Sequence, residues 1–386
     1  MPSNIQDDKC VRCGACLSQC PVYGVTLKER FSPRGRNFLL KTGKVKPRDR
    51  LVRETIKACL QCGACSAVCT SGADVSSLIR NERASHGFFR TLPVQVYNLF
   101  ASEMMSMLCA RVGGMLGPMP TPAEKPFLSN AAWWAGRYCS RAEQLGNKKA
   151  LPRVAIFAGC AQNMLYPEIP GKIAAIAGNR LVVPAEQTCC GLPAFSAGAF
   201  RQAKKVVLRN IEAFEPEEFD ILLTGCASCA SMIKKWPLLF EQDSAEKKAA
   251  EDIASRVMEF SCFALEFLKP SRVTASGKLC LQMPCHQRFG YGQADAPLLF
   301  LRAFWDGNFQ DRVLGCCGQG GLFGFTTPDL SLKILEQALA GIEPDVQAVC
   351  TTCSGCLMRL KQAMSSPAWT GRQIKAMHLV DVIIPD

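Results

Sequence analysis

The chain has 386 residues, 48% hydrophobic and 20% charged, enough to bury a core and divide into two or three domains, so it is neither disordered nor a small stapled scaffold. It nevertheless carries 23 cysteines, which a chain of this size does not need for stability, so the thiols must serve chemistry. The formal charge of +12, from 45 Lys+Arg against 33 Asp+Glu, counts every cysteine as neutral. Metal ligation deprotonates thiols, so the basic balance is read as partly counter-charge for the protein's own cofactors, and no nucleic-acid partner is expected.

The first residues, Met1 to Lys9, include Asp7 and Asp8 and show neither a basic nor an apolar leader region. A reducing cytoplasm is therefore expected, which disfavours disulfides. No uncharged apolar run reaches the roughly 18 residues of a membrane helix; Val313 to Pro328, which no uncharged stretch exceeds in length, is glycine-rich and holds two cysteines. A peripheral position on the inner face of the cell membrane stays open.

Two duplications follow. Cys10, Cys13, Cys16 and Cys20 recur as Cys59, Cys62, Cys65 and Cys69 at a constant offset of 49 residues. Each run is C-x2-C-x2-C-x3-C, the bacterial ferredoxin pattern for [4Fe–4S] clusters, and the first continues into Pro21. Three cysteines three apart let one tight loop offer thiolates to three corners of a cube. In two-cluster ferredoxins the fourth cysteine serves the neighbouring cube, which groups Cys10, Cys13, Cys16 with Cys69, and Cys59, Cys62, Cys65 with Cys20. Structural zinc, usually held by two separated pairs, fits these runs poorly. Thr70 stands where the second run would have proline, a change expected to alter the loop and not ligation.

Between the duplications, Leu92 to Leu116 is apolar and rich in methionine (Met104, Met105, Met107, Met115), and Gly113 to Pro126 is rich in Gly and Pro. The first reads as helices packing the N-terminal part against the rest, with a partner-docking or membrane-surface face as the alternative, and the second as a linker.

The second duplication runs Cys160, Cys189-Cys190-Gly191, Cys226-x2-Cys229, then Cys285, Cys316-Cys317-Gly318, Cys353-x2-Cys356. The gap from the second cysteine of the pair to the next ligand candidate is 36 residues in both copies, 190 to 226 and 317 to 353. Val154 to Ala158 and Ile221 to Thr224 read as strands, and Phe200 to Phe214 as a helix with its apolar stripe at Ala203, Val206, Val207, Ile211 and Phe214. The second copy repeats the order with a strand over Leu279 to Met283, a helix through Leu330 to Leu339 and a strand over Val346 to Val349. Cysteines at the carboxyl ends of strands predict two α/β units with sites at their loop edges. Adjacent thiolates suit neighbouring irons of a distorted cluster better than separate corners of a cube, and glycine next in line permits a sharp turn into a helix whose amides favour an anion.

Five cysteines remain: Cys109, Cys139, Cys262, Cys280 and Cys350. Each is expected to pack as a small apolar residue, with Cys350 watched as an alternative ligand because it lies three residues before Cys353. His286 follows Cys285 and is expected either to tune or protonate sulfur or to form a supporting hydrogen bond; His86 and His378 carry no motif. No G-x-G-x-x-G, G-x4-G-K-[ST] or H-E-x-x-H motif occurs, so a flavin is expected on a separate chain.

The Cys-Cys-Gly duplication resembles the CCG domain of heterodisulfide reductase catalytic subunits. The full order, with Ser32-Pro33-Arg34-Gly35-Arg36 between the ferredoxin runs, resembles the iron–sulfur subunit of glycolate oxidase and its relatives among D-lactate and anaerobic glycerol-3-phosphate dehydrogenases. The resemblance implies an α+β and α/β multidomain fold: a ferredoxin-like helical domain with two [4Fe–4S] motifs (1–86), a helical linker region (87–150), and two α/β CCG domains (151–270 and 271–386). It also implies one or two further non-cubane [4Fe–4S] clusters, one on Cys160, Cys189, Cys190, Cys226 and Cys229, the other on Cys285, Cys316, Cys317, Cys353 and Cys356. The function it implies is electron transfer from a partner FAD-binding dehydrogenase subunit, oxidising glycolate or D-lactate, to a quinone or other membrane acceptor. No residue is assigned a catalytic role on that account. The alternative is a heterodisulfide reductase-like subunit that reduces a disulfide at the cluster sites of Cys189, Cys190, Cys316 and Cys317; a zinc-dependent nucleic-acid module is a more distant rival.

Overall fold

The computed structural model describes residues 9–41, 49–85, 123, 125–178, 180–270, 277–366, 369 and 372–385. The segment Leu92 to Leu116, with Cys109, and His86 lie outside these residues, as does most of Gly113 to Pro126.

Strand β1 (Val154–Ile156) and the residue after it alternate between two interiors, because successive side chains of a strand point to opposite faces. Val154 and Ile156 enter one apolar cluster, and Ala155 and Phe157 the other. With β2 (Leu181–Val182), β3 (Ile221–Thr224) and β4 (Val257–Glu259), β1 forms a parallel sheet in the order β2-β1-β3-β4. Both faces are covered, which explains why β3 is buried throughout. The second sheet is also parallel and ordered β5-β6-β7, from Lys278–Leu281, Val346–Thr351 and Lys375–His378. Two parallel α/β units are thus present, as the patterning predicts.

The helix Phe200–Phe214 has the expected bounds, and its stripe Ala203, Val206, Val207, Ile211 and Phe214 is buried. In the second copy Pro328–Leu339 is the corresponding helix. One strand expectation is corrected: β6 does not stop at Val349 but runs through Cys350 to Thr351, pairing Cys350 with Leu281 and Met377. The ladder partners on both sides keep the chain extended beyond the apolar run that the pattern showed.

The two sheets share a core. Leu223 of β3, Leu279 and Leu281 of β5, Val349 of β6 and the paired rings Phe260/Phe300 belong to one apolar cluster. Across the junction Ala227 N donates to Thr352 O at 2.8 Å. Lys172, fully buried, pairs with Asp381 at 2.7 Å, and Asp381 also accepts from the His378 amide at 2.8 Å. His378 Nδ1 accepts from Val380 N, so Nε2 carries the proton and donates to Gly225 O at 2.7 Å. The C-terminal segment is thereby strapped to the residue before Cys226.

The N-terminal part is helical: Pro21–Thr26, Pro33–Lys41, Arg50–Lys57, Ala64–Ala67 and Val75–Ser85. Buried Arg83 fastens it to the first α/β unit by donating to Cys59 O and Ser196 O, each at 2.6 Å. Among the described residues no helix is long and apolar enough to cross a membrane.

Removing one member of a buried ion pair leaves the other charge poorly compensated, at a cost of roughly 3–5 kcal/mol. Asp381→Ala is therefore expected to lower unfolding free energy by about 3 kcal/mol in chemical denaturation, whereas Lys172→Met with Asp381→Leu recovers most of the loss. Equal losses in the single and double variants would show that the pair's charge is not what matters.

Candidate iron–sulfur sites

The two ferredoxin runs fold into the same turn twice. Arg12 and Gln61, 49 positions apart, have φ of 57° and 59°, and Gly14 and Gly63 have φ of 87° and 78°. A non-glycine residue in the left-handed region costs on the order of 1 kcal/mol, and both runs accept that strain at the same place.

Cys59, Cys62 and Cys65 from the second run and Cys20 from the first line one small cavity, partly open to solvent, together with Pro21, Pro33, Leu60 and Arg36. Burial pushes the Cys65 thiol up to about 12 and the Cys62 thiol well above its ordinary value. Arg36, 2% exposed, aims Nη1 at Cys20 Sγ (3.8 Å) and donates through Nη2 to Ala58 O (2.7 Å). A buried guanidinium among four thiols is tolerable where those sulfurs carry negative charge. The donor set and its counter-charge therefore fit a [4Fe–4S] group.

The other ferredoxin site is more open. Cys13 is exposed and Cys10 and Cys16 are half-buried. Cys16 feels the charges of Cys10 and Cys20 in addition to its own burial, which raises it. Cys69 arrives from the end of the second run, its sulfur 3.3 Å from both Ser71 Oγ and Ala73 N, and a Cβ on the nearby Gly72 would lie 3.7 Å from the Lys9 side chain. Pro21 opens a helix directly after Cys20, whereas Thr70 enters a turn closed by Gly72 N to Cys69 O at 3.1 Å, and the next helix waits until Val75. The missing proline thus changes the loop.

In the first α/β unit Cys160 is exposed as a residue, yet its sulfur lies 3.5 Å from Cys189. Cys190 interacts with Cys189 and Cys229, and Cys226 with Cys229. In the second unit Cys317 lies 2.9 Å from Cys356, Cys356 neighbours Cys353, and Cys285 neighbours Cys316. The strands deliver these residues: Cys226 and Cys353 cap the helices Ala227–Ile233 and Ser354–Met364 just beyond β3 and β6. Trp236 Nε1 holds the pair loop by donating to Cys190 O at 3.0 Å. Gly191 (φ 89°) turns into the helix Leu192–Ser196 as expected, but after Gly318 (φ 78°) the chain makes further glycine turns and the helix begins only at Phe323.

The two sets are not separate. Cys226 interacts with Cys353, and Cys62 of the N-terminal part lies within range of Cys285 and Cys316. Hydrogen bonds from Cys229, Cys353 and the Ser354 amide hold Cys226 well below the usual thiol value; hydrogen bonding to Cys190 and Cys226 pushes Cys229 up, hydrogen bonding to Cys226 pushes Cys353 up to about 12, and burial adds to both. Among the described residues no group of three or more His, Cys, Asp or Glu is placed to hold a metal ion; the thiols instead surround a cavity or touch sulfur to sulfur.

Several polar residues at the junction carry no sequence signal. Ser228 Oγ bridges His286 Nδ1 (3.0 Å) and Cys353 Sγ (2.9 Å), so His286 reaches sulfur through a hydroxyl. Burial, with Lys235 nearby, lowers its imidazole to about 4 and keeps it neutral. His286 opens a π-helical turn, His286–Tyr291, a form often found at functional sites. Glu259, at the end of β4, is fully buried; Oε2 accepts from Ser261 N (2.9 Å) and Gln287 Nε2 (3.5 Å), while Oε1 has no partner. Desolvation pushes this carboxyl up to about 8.

The remaining cysteines divide. Cys280 and Cys350 are buried in the shared apolar core, and Cys350 Sγ faces Cys280 O at 3.6 Å, away from the cluster that contains Cys353. Cys262 is half-buried beside Glu259 and Tyr291. Cys139 is exposed on the helix Ala131–Ala142, 3.4 Å from Glu143, which corrects the expectation that it packs inside: its helix turns that face to solvent.

Residues 6–73 match the family model of the 4Fe-4S dicluster domain, and residues 154–234 and 281–361 each match that of the cysteine-rich CCG domain. The chain is thus an iron–sulfur protein with one 4Fe-4S dicluster domain and two CCG domains. In its full order it is similar to a probable glycolate oxidase iron-sulfur subunit of Bacillus subtilis, 25% identical over 97% of this chain and 93% of that protein. It is 28% identical to lactate utilization protein A of an Exiguobacterium species and 26% identical to that of Oceanobacillus iheyensis, over 60% of this chain and 97% and 96% of those proteins.

A carboxyl whose folded value, about 8, exceeds its unfolded value near 4.3 contributes stability below the unfolded value and loses it as pH rises through the folded one. Melting temperature is expected to fall between about pH 4 and 8 more steeply in the native protein than in Glu259→Gln. Parallel slopes in the two would exclude Glu259 as the cause.

Proposed function

We propose that this chain is the iron–sulfur electron-transfer subunit of a flavin-dependent 2-hydroxy-acid dehydrogenase complex acting on glycolate or D-lactate. The observation that carries this reading is continuity of sulfur: from the exposed loop of Cys13 through the cavity of Cys20, Cys59, Cys62 and Cys65, past Cys285 and Cys316, to Cys226, Cys353 and finally Cys160. Full-length similarity to a protein named as a glycolate oxidase iron-sulfur subunit supports it.

Iron–sulfur clusters, when bound, supply one-electron storage and transfer. Cys10, Cys13, Cys16 and Cys69 would hold the outer [4Fe–4S] group and Cys20, Cys59, Cys62 and Cys65 the inner. Cys160, Cys189, Cys190, Cys226 and Cys229 would hold one non-cubane group, and Cys285, Cys316, Cys317, Cys353 and Cys356 the other. The proposed domains are 1–86, 87–150, 151–270 and 271–386. The chain's own part is to bury these thiols, compensate their charge with Arg36 and helix N-termini, and exclude water. An FAD-binding dehydrogenase subunit is the expected donor and a quinone or another membrane acceptor the expected sink, reached from the inner face of the membrane.

Protein purified anaerobically is expected to contain at least about eight irons per chain, and Cys20→Ser to lose about four of them. Fewer than about eight in the native chain sinks the two-cubane assignment. With the flavoprotein partner present, glycolate or D-lactate should bleach the absorbance near 400 nm.

A second reading, reduction of a disulfide by two electrons and two protons to give two thiols, is favoured by one observation: the Cys226–Cys353 junction with the Ser228–His286 hydrogen bonds beside it. Release of free thiol from a small disulfide by the reduced chain alone would establish it, and absence of release would exclude it.

A further inference from the structure

The segment Ser32-Pro33-Arg34-Gly35-Arg36 joins the two ferredoxin runs and holds two arginines that meet different fates. Gly35 lies so close to the preceding turn that a Cβ there would sit 2.0 Å from Glu29 O, and Ser32, fully buried, ties the turn by accepting from Gly35 N (2.9 Å) and donating to Glu29 Oε1 (3.0 Å). This tight closure sends Arg34 outward and Arg36 inward. Arg34 braces the outer loop through Arg12 O at 3.4 Å, but Glu29 neutralises it at 2.6 Å and solvent reaches it. Arg36 is buried, lines the cavity of the inner thiols and touches Cys20 Sγ. Among the described residues no carboxylate pairs with it.

We propose that Arg36 makes the inner site, Cys20, Cys59, Cys62 and Cys65, the higher-potential member of the two ferredoxin-type sites, so that an electron entering at the exposed Cys10–Cys16 loop is drawn inward. The inference rests on reading both sets as [4Fe–4S] sites. Taking up one electron adds one negative charge to the site, and a buried unpaired cation stabilises the more negative state more than the less negative one; buried charges are screened far less than exposed ones. Net charge, hydrogen bonds to sulfur and exposure are the levers that set such potentials. Two of them favour the inner site: Arg36 adds positive charge and donates toward Cys20 sulfur, while the arginine of the outer loop is neutralised. Exposure acts the other way, since burial disfavours the more negative state and Cys13 of the outer loop is exposed, and the charge of Arg36 outweighs it. Arg83, donating to Cys59 O and Ile56 O at 2.6 and 2.9 Å, adds to the field on the inner side. No proton is required for the step, so Arg36 acts through its charge and its hydrogen bond to sulfur. It is a positioning and tuning residue.

The test is a redox titration followed by electron paramagnetic resonance on anaerobically purified full chain, with iron counted in every sample. The native chain is expected to give two cubane midpoints, with Cys13→Ser removing the lower one. Arg36→Gln should move the upper midpoint down by about 59 mV or more, a tenfold fall in the reduced-to-oxidised ratio at fixed potential for a one-electron couple. Arg36→Lys, which keeps the charge and loses the fork, should restore most of it. The proposal is overturned if Arg36→Gln leaves the upper midpoint in place, or if Arg36→Lys moves it as far as Arg36→Gln. Should Arg36→Gln fail to retain iron, the native and Cys13→Ser titrations still decide: a single shared midpoint, or loss of the upper one in Cys13→Ser, overturns it. Fewer than about eight irons in the native chain overturns the site reading itself, and the inference with it.

Discussion

Two parallel sheets that share one apolar core meet at their carboxyl ends, and the rest of the molecule depends on that meeting. Because β1 alternates between two interiors, Val154 and Ile156 hold the sheets together while Ala155 and Phe157 wall the sulfur-rich cluster. The strand ends then face each other across the Ala227–Thr352 hydrogen bond. Cys226 reaches Cys353 because both residues cap helices at this junction. Parallel strands place their loops at one edge; a shared core makes two such edges into one site.

Gathering thiols in a water-poor interior raises an electrostatic demand, since buried negative charge needs a partner. The protein answers it differently along the line of sulfur. The inner ferredoxin-type site has the buried Arg36; Cys317 has Arg359 and the Gln319 amide; Cys226 has the Ser354 amide and its thiol neighbours. Around them the titratable groups are kept uncharged or paired: His286 neutral, Glu259 raised by burial, Lys172 joined to Asp381. The strap from Asp381 through His378 to Gly225 fixes the backbone that precedes Cys226.

The N-terminal duplication shows how equal sequence patterns acquire unequal surroundings. The turns at Arg12–Gly14 and Gln61–Gly63 are near copies, yet one run has the exposed Cys13 and the other lines a cavity with Pro33, Leu60 and the buried Arg36. Even the single departure, Thr70 for proline, converts a helix start into a turn. The asymmetry comes from packing rather than from the cysteines, whose spacing is the same in both runs.

By itself the sequence determined what is local and periodic. Cysteine spacing identified both duplications, strand and helix periods located Ile221–Thr224 and Phe200–Phe214 at their observed bounds, and glycine after each cysteine pair permitted the sharp turns found at Gly191 and Gly318. These features are set by the backbone geometry of a few neighbouring residues. Only the tertiary structure decided which side of Arg36 is buried, that Cys350 faces Cys280 and not the other thiols, that Cys139 is exposed, and that Ser228 joins His286 to Cys353 across 125 residues of chain. Those contacts follow from how distant apolar faces pack against one another, and packing is a sum over the whole core that no short window of residues contains.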